Sequence, residues 1–266
     1  MSPHADIAYR SASNGEPLID AFCRLDVYSP ESSSVVPPPL LVWFHGGGME
    51  GGDKATPESR AFARRFAARG VTVAMANYRL SPATRFPGWL EDAAAAVAWA
   101  LVNAARLGAD ANAIFVGGDS AGAYLAAMLA LDERWLRAAG HATEELAGAI
   151  PMSGQMMTHF ALHKERGPWN GRSVRADECA PIFHVRPDCP PLHLMIGDDD
   201  WPARLEENRF FVATQTKVAG HADTALQVIA DRDHGSIFTR CLEPDDAAGE
   251  GMLAFMQTRR ARMARP

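Results

Sequence analysis

The sequence predicts an α/β fold: a doubly wound, mostly parallel sheet flanked by helices. Three observations carry that expectation. Short apolar runs of strand length alternate with longer segments of helical periodicity. Several of those runs are apolar on both faces, as a parallel strand covered by helices on each side requires. No fixed internal period is present, which removes solenoids and propellers. The 266 residues are 47% hydrophobic and 22% charged, an ordinary globular composition that excludes general disorder and a fibrous fold. One domain over 1–266 is expected, with 155–189 as a lid or insertion.

Leu25-Asp26-Val27-Tyr28 reads as a short strand. After a proline-rich turn at 35–39, Leu40–Phe44 is a continuous apolar run closed by glycines. Residues 57–69 space Phe62 and Phe66 four apart among Ala and Arg, a helix with one apolar stripe, and Gly70 suits its left-handed stop. A second buried strand spans 71–76. The Ala-rich helix at 89–105 carries Glu91 and Asp92 in its first turn and Arg106 near its end, which suits the helix dipole. A third strand at 114–118 runs into a third helix, Ala121–Leu131. Gly148–Met152, 192–196 and 226–230 read as later strands, and 204–219 and 251–262 as later helices. The stretch 155–189, with Gly167-Pro168-Trp169-Asn170-Gly171, shows little periodicity and reads as a loop-rich excursion above the sheet.

A net charge of −6 gives no electrostatic case for nucleic acid or an anionic membrane as the main partner, so a small molecule is expected. The longest apolar run, 93–102, is far short of the roughly 20 residues of a spanning helix. The opening MSPHADIAYR lacks a basic n-region and an apolar h-region, so a cytoplasmic location is expected. Cys23, Cys179, Cys189 and Cys241 form no C-x-x-C pair and are expected to be reduced and structural.

Gly118-Asp119-Ser120-Ala121-Gly122 is the chain's one G-x-S-x-G, placed where an apolar strand ends and a helical run begins. That is the setting of a nucleophile elbow, where small neighbours let strand and helix approach and leave the serine hydroxyl exposed. The competing reading is a Gly-rich turn that binds phosphate or nothing. His45-Gly46-Gly47-Gly48 follows another buried strand, and consecutive glycines let backbone N–H groups approach a developing oxyanion. No P-loop pattern is present, which disfavours a nucleotide site.

A serine needs a base, and the base needs a group to hold its tautomer. His45 belongs to the glycine loop, and His4 to what reads as a frayed terminus. His159, His163 and His184 fall in the excursion, His193 lies inside a strand, and His141 and His221 sit in polar, surface-like contexts. His234 remains, in Asp231-Arg232-Asp233-His234-Gly235, just after the last strand. For the acid, Gly197-Asp198-Asp199-Asp200 offers three candidates together after a strand. A metal there is disfavoured, because no His or Glu ligands are spaced around them.

With these pieces the chain resembles the α/β-hydrolase superfamily, in the esterase branch with an HGGG oxyanion loop that includes hormone-sensitive-lipase-like and bacterial feruloyl- and acetylxylan-esterase-like enzymes. The resemblance runs from about Leu25 to the end. It rests on Leu25-Asp26-Val27-Tyr28-Ser29-Pro30, His45-Gly46-Gly47-Gly48 with Gly52-Asp53-Lys54, Asn77-Tyr78-Arg79-Leu80-Ser81-Pro82, Phe86-Pro87 with Asp92, and the Ser120 motif. The chain departs from the family at Met49, where an aromatic residue is usual. The order Ser, Asp, His is that of α/β-hydrolases.

The resemblance implies the α/β-hydrolase fold, with Ser120 as nucleophile and His234 as general base and then acid. It implies Asp200 as the orienting carboxylate, because the family's acid stands three residues after the strand-ending glycine, here Gly197. The implied oxyanion donors are the N–H groups of Gly47, Gly48 and Ala121. No cofactor and no metal are implied. The expected activity is hydrolysis of short-acyl carboxylic esters through an acyl-enzyme, since the excursion mixes Met156, Met157, Phe160 and Trp169 with His159, His163, Lys164 and Arg166, as a modest pocket with a polar rim would. Alternatives are an arylformamidase of the kynurenine formamidase type and a non-catalytic binding protein of the same fold. The expected partner is a small-molecule ester, with no nucleic acid and no membrane span; a homo-oligomer is left open.

Overall fold

The computed structural model describes residues 4–11, 16–31, 36–168, 170–171 and 174–263; Val35 and Trp169 lie outside them. Strand β1 (His4–Ala8) is followed by the short helix α1 (Pro17–Phe22) and pairs antiparallel with β2 (Arg24–Tyr28). Strand and helix then alternate through β3 (Leu40–Phe44), α2 (Pro57–Ala68), β4 (Thr72–Ala76), α3 (Gly88–Asn103), β5 (Ile114–Asp119) and α4 (Ala121–Leu131). The remainder runs α5 (Glu133–Ala138), β6 (Gly148–Met152), α6 (Phe160–Glu165), β7 (Leu192–Asp199), α7 (Arg204–Ala213), β8 (Thr224–Asp233), α8 (Ser236–Arg240) and α9 (Ala247–Met263).

The described strands form one sheet in the order β1-β2-β4-β3-β5-β6-β7-β8. It is antiparallel at β1–β2 and β2–β4 and parallel from β4 to β8, the mostly parallel arrangement expected. From β3 the chain winds to one side through β4, and from β5 to the other through β6, β7 and β8. The carboxyl ends of β3 and β5 therefore face the crevice at which such sheets bind ligands.

The continuous apolar run of β3 serves two cores. Leu40, Val42 and Phe44 face the layer that holds Trp89 and Ala93 of α3 and Tyr124 and Leu125 of α4. Leu41 and Trp43 face the layer of Phe62 and Phe66 of α2 and Met252 and Met256 of α9. The two-residue period of the strand puts successive side chains on opposite faces, and burial of each large one contributes about 2 kcal/mol. α2 begins as its sequence dictates: Thr56 accepts the Ser59 N–H at 3.1 Å, Pro57 opens the first turn, and Gly70 follows its end with φ +83°. α4 is buried on every side, which explains why it is apolar all round.

Several boundaries differ from the sequence expectations. The stretch read as frayed forms β1, held by the Asp6 N–H to Asp26 Oδ1 (2.8 Å) and the Tyr9 hydroxyl to the Asn77 carbonyl (2.7 Å). Its HADIA pattern is largely exposed and gives no apolar alternation. β7 and β8 run past the apolar segments 192–196 and 226–230 because their parallel pairing continues through polar residues. α7 ends at Ala213 and passes into a wider turn over Thr214–Val218, and α9 begins at Ala247, before Gly251. α1, α5 and α8 are too short to show a period. Cys23, Cys179, Cys189 and Cys241 are free thiols and buried. Among the described residues no helix is long and apolar enough to cross a membrane.

Candidate active site

Ser120 stands between β5 and α4 with φ +52° and ψ −110°, a conformation costly for any residue with a Cβ. The neighbouring glycines make the bend fit. A Cβ at Gly122 would lie 2.0 Å from the Phe44 carbonyl oxygen, and one at Gly118 would lie 2.4 Å from the Gly122 carbonyl carbon. Larger residues would push α4 off the sheet. The Ser120 N–H donates to the Met152 carbonyl at 2.8 Å, which fixes the bend to β6.

His234 Nε2 lies 2.9 Å from Ser120 Oγ, and His234 Nδ1 lies 2.8 Å from Asp200 Oδ1. With the imidazole proton on Nδ1 donated to the carboxylate, Nε2 is free to accept the serine proton. The loop holding His234 is shaped by Asp233, whose Oδ1 accepts the N–H groups of Gly235 (3.0 Å) and Ser236 (2.7 Å) at the entry to α8.

Asp200 follows β7, and its side chain is fully buried. Burial works to raise its pKa, yet hydrogen bonds from His234, from the Ser153 hydroxyl (2.6 Å to Oδ2) and from the Trp201 N–H (2.6 Å to Oδ1) hold the carboxyl below its ordinary value. The adjacent acids are exposed, and Asp198 Oδ1 accepts the Arg232 backbone N–H at 3.3 Å. The structure thus brings Ser120, His234 and Asp200 into one hydrogen-bonded line and leaves Asp198 and Asp199 outside it.

The glycine loop curls beside Ser120. The Gly47 carbonyl accepts the N–H groups of Glu50 and Gly51, both at 3.0 Å, and Gly47 and Gly48 have φ of +109° and +67°. A Cβ at Gly47 would lie 2.2 Å from the Gly51 carbonyl oxygen, and one at Gly46 would lie 2.4 Å from Asp119 Oδ2. The N–H groups of Gly47 and Gly48 donate to no described residue, and Ala121 opens α4, where N–H groups have no partner in the helix ladder. Gly46, Gly48 and Gly51 also fit the spacing G-x-G-x-x-G, but α2 starts only at Pro57, so the loop does not open directly into the helix that follows it in the chain, as the dinucleotide-binding turn does.

The loop is tied down from behind. Lys54 Nζ meets Asp26 Oδ1 at 2.6 Å, the Lys54 N–H donates to Asn77 Oδ1, and Asn77 Nδ2 donates to Asp53 Oδ2 at 2.9 Å. His45 stacks on Tyr78, whose hydroxyl donates to the His45 carbonyl at 2.9 Å. Burial lowers the His45 pKa, so the ring is neutral beside the Gly46 carbonyl. Asp119, under the loop, is pushed up to about 6 by burial, against the Trp43 Nε1–H and Gly46 N–H donors.

The described residues of the excursion are tied to the rest of the fold by specific hydrogen bonds that its sequence does not suggest. Glu207 Oε1 accepts the N–H groups of Met156 and of Met157 (2.8 Å), and the Tyr124 hydroxyl donates to the Cys179 carbonyl at 2.7 Å. The Phe160 ring lies 2.8 Å from where a Gly48 Cβ would stand, so it roofs the glycine loop. His159 is pushed down to about 3 by burial and by the cations Arg204 and Lys164, and its Nδ1 accepts the Ala161 N–H at 3.2 Å. His221, expected at the surface, is buried against Thr224.

Two residues at the site escaped the sequence reading. Ser153, after β6, supplies a donor to Asp200. Trp201 stacks on His234 with ring centres 3.6 Å apart and 16° between planes, while remaining 48% exposed. Neither sits in a motif; the one available signal is that each follows a strand end.

A family model described as the alpha/beta hydrolase fold matches residues 41–178. Esterase LipC of Mycobacterium tuberculosis (strain ATCC 25618 / H37Rv) is 36% identical over 205 residues, covering 71% of this chain and 51% of LipC. Carboxylesterase NlhH of the same strain is 39% identical over 92 residues, 35% of this chain and 28% of NlhH. The matched stretches thus span about half of LipC and just over a quarter of NlhH. Among solved structures, Thermogutta terrifontis esterase 2 phosphoramylated by tabun superposes with a TM-score of 0.74 at 24% identity, covering 99% of this chain and 95% of that one, a likeness of fold.

Proposed function

Because the chain belongs to the α/β-hydrolase fold family, we propose that it is a serine carboxylic ester hydrolase acting through Ser120, His234 and Asp200. The observation that carries this reading is the line from Ser120 Oγ through the His234 ring to Asp200 Oδ1, standing beside the glycine loop at the carboxyl ends of β3 and β5. LipC and NlhH, named as an esterase and a carboxylesterase, support it.

In the forward step His234 Nε2 takes the proton as Ser120 Oγ attacks the ester carbonyl, and Asp200 stabilises the imidazolium that forms. The N–H groups of Gly47, Gly48 and Ala121 receive the oxyanion, each contributing about 3 kcal/mol where such donors have been measured. His234 then protonates the departing alcohol. Water, activated by the same ring, releases the acid from Ser120.

In this reading the chain is a single domain in which the excursion, through Phe160, walls the glycine-loop side of the site. Phe160, set against Gly48, narrows the space beside the glycine loop, so a long acyl chain is expected to gain little of the about 0.8 kcal/mol per buried methylene that would favour it. For 4-nitrophenyl esters, kcat/KM is expected to peak at acetyl to butyryl and to fall for longer chains. Steady-state rates over an acyl series, run beside N-formylkynurenine and a feruloyl ester, test both parts. A maximum at octanoyl or beyond contradicts the short-acyl reading, and a formamide turned over faster than every ester contradicts the ester reading.

A further inference from the structure

Arg204 opens α7, one turn after Asp200, where Ala203 takes φ +65° and swings the chain back toward the site. It is only 9% exposed, and its guanidinium makes no hydrogen bond or ion pair with any described residue. A cation so placed is costly to the fold unless something pairs with it, and burial indeed works against its charge.

Its surroundings locate it. The guanidinium carbon lies 5.7 Å from the centre of the Trp201 ring, and that ring is stacked on His234. Arg204 is also within electrostatic reach of Asp200 on the triad side and of His159 on the excursion side. His159 stacks on Phe160 with ring centres 4.3 Å apart, and Phe160 roofs Gly48. Arg204 therefore sits between the His234 end of the triad and the wall above the glycine loop. The two carboxylates that feel it are engaged elsewhere: Asp200 with His234, Ser153 and Trp201, and Glu207 with the Met156 and Met157 N–H groups.

We infer that the ester cleaved at Ser120 carries an anionic group, a carboxylate on its acyl or its alcohol part, which the Arg204 guanidinium binds. The planar fork of a guanidinium matches a carboxylate with two parallel hydrogen bonds, the strong, charge-assisted kind. The guanidinium leans on the Trp201 face, and in the substrate complex it pairs with the carboxylate. This rests on the ester hydrolase reading above.

Two isosteric pairs test it and separate the two sources of the charge. Monoethyl succinate against ethyl succinamate places the charge on the acyl side, and 4-acetoxybenzoate against 4-acetoxybenzamide places it on the alcohol side. In the wild-type protein one carboxylate is expected to exceed its amide by about tenfold or more in kcat/KM, the scale of a charge-assisted hydrogen bond. Arg204→Gln should abolish that ratio through KM, and Arg204→Lys should keep part of it. The inference is overturned if neither carboxylate is preferred, or if Arg204→Gln lowers carboxylate and amide in equal proportion, as a purely structural contact with Trp201 would. If the wild-type protein hydrolyses none of the esters here or in the 4-nitrophenyl series, the hydrolase reading itself fails, which is a different result from hydrolysis without charge preference.

Discussion

Replacing Ser120 with alanine is expected to remove ester turnover, with kcat falling by about 10⁵ to 10⁶, the scale seen when a triad serine is deleted. The fold should survive. Alanine keeps the Cβ and adds no strain at φ +52°, and the hydroxyl's one described partner is His234 Nε2, so removing it leaves no buried group without a partner. A remnant of about a thousandfold over water should persist, because the donors of the glycine loop still meet the oxyanion. Steady-state kinetics beside a thermal melt read both parts. An alanine variant that melts as the parent does and keeps more than about a tenth of the parental kcat, far above that remnant, sinks the assignment.

Asp200→Asn is expected to cost about 10⁴ in kcat, because asparagine presents an amide to His234 Nδ1 and selects the wrong tautomer. Asp200 is the carboxylate His234 touches, its second oxygen accepts the Ser153 hydroxyl, and Asp198 and Asp199 are exposed at the end of β7, outside this line. Asp198→Asn and Asp199→Asn should change kcat by less than about threefold, since both side chains are solvated and exposed charges interact weakly. Comparing the three asparagine variants on one short-acyl ester checks the ranking. A larger loss at Asp199 than at Asp200 means that the serine line is held by a different acid.

The parts legible in the sequence are those whose physics is local. The run Leu40–Phe44 declares a central strand because both its faces are apolar, and the glycines around Ser120 declare an elbow because a Cβ there would strike Phe44. β1 is not legible, since its order comes from pairing with β2 rather than from its own composition. Choosing among Asp198, Asp199 and Asp200 from residues alone fails for a related reason. β7 runs on through Asp199 beside β8, leaving Asp198 and Asp199 exposed before the chain turns at Asp200. The donor from Ser153 and the Trp201 stack on His234 join segments 47 and 33 residues from their partners, and no spacing rule reaches across those distances.

Covalent trapping tests the central claim, that Ser120 is the nucleophile driven by His234, most directly. Incubation with diethyl 4-nitrophenyl phosphate, an activated phosphotriester that arrests a serine after attack, should release 4-nitrophenolate in a stoichiometric burst. Peptide mapping by mass spectrometry should then place one diethyl phosphoryl group on Ser120, with no burst in Ser120→Ala and a strongly slowed one in His234→Ala. A phosphoryl group mapped to another residue, or equal labelling of Ser120→Ala, contradicts the account.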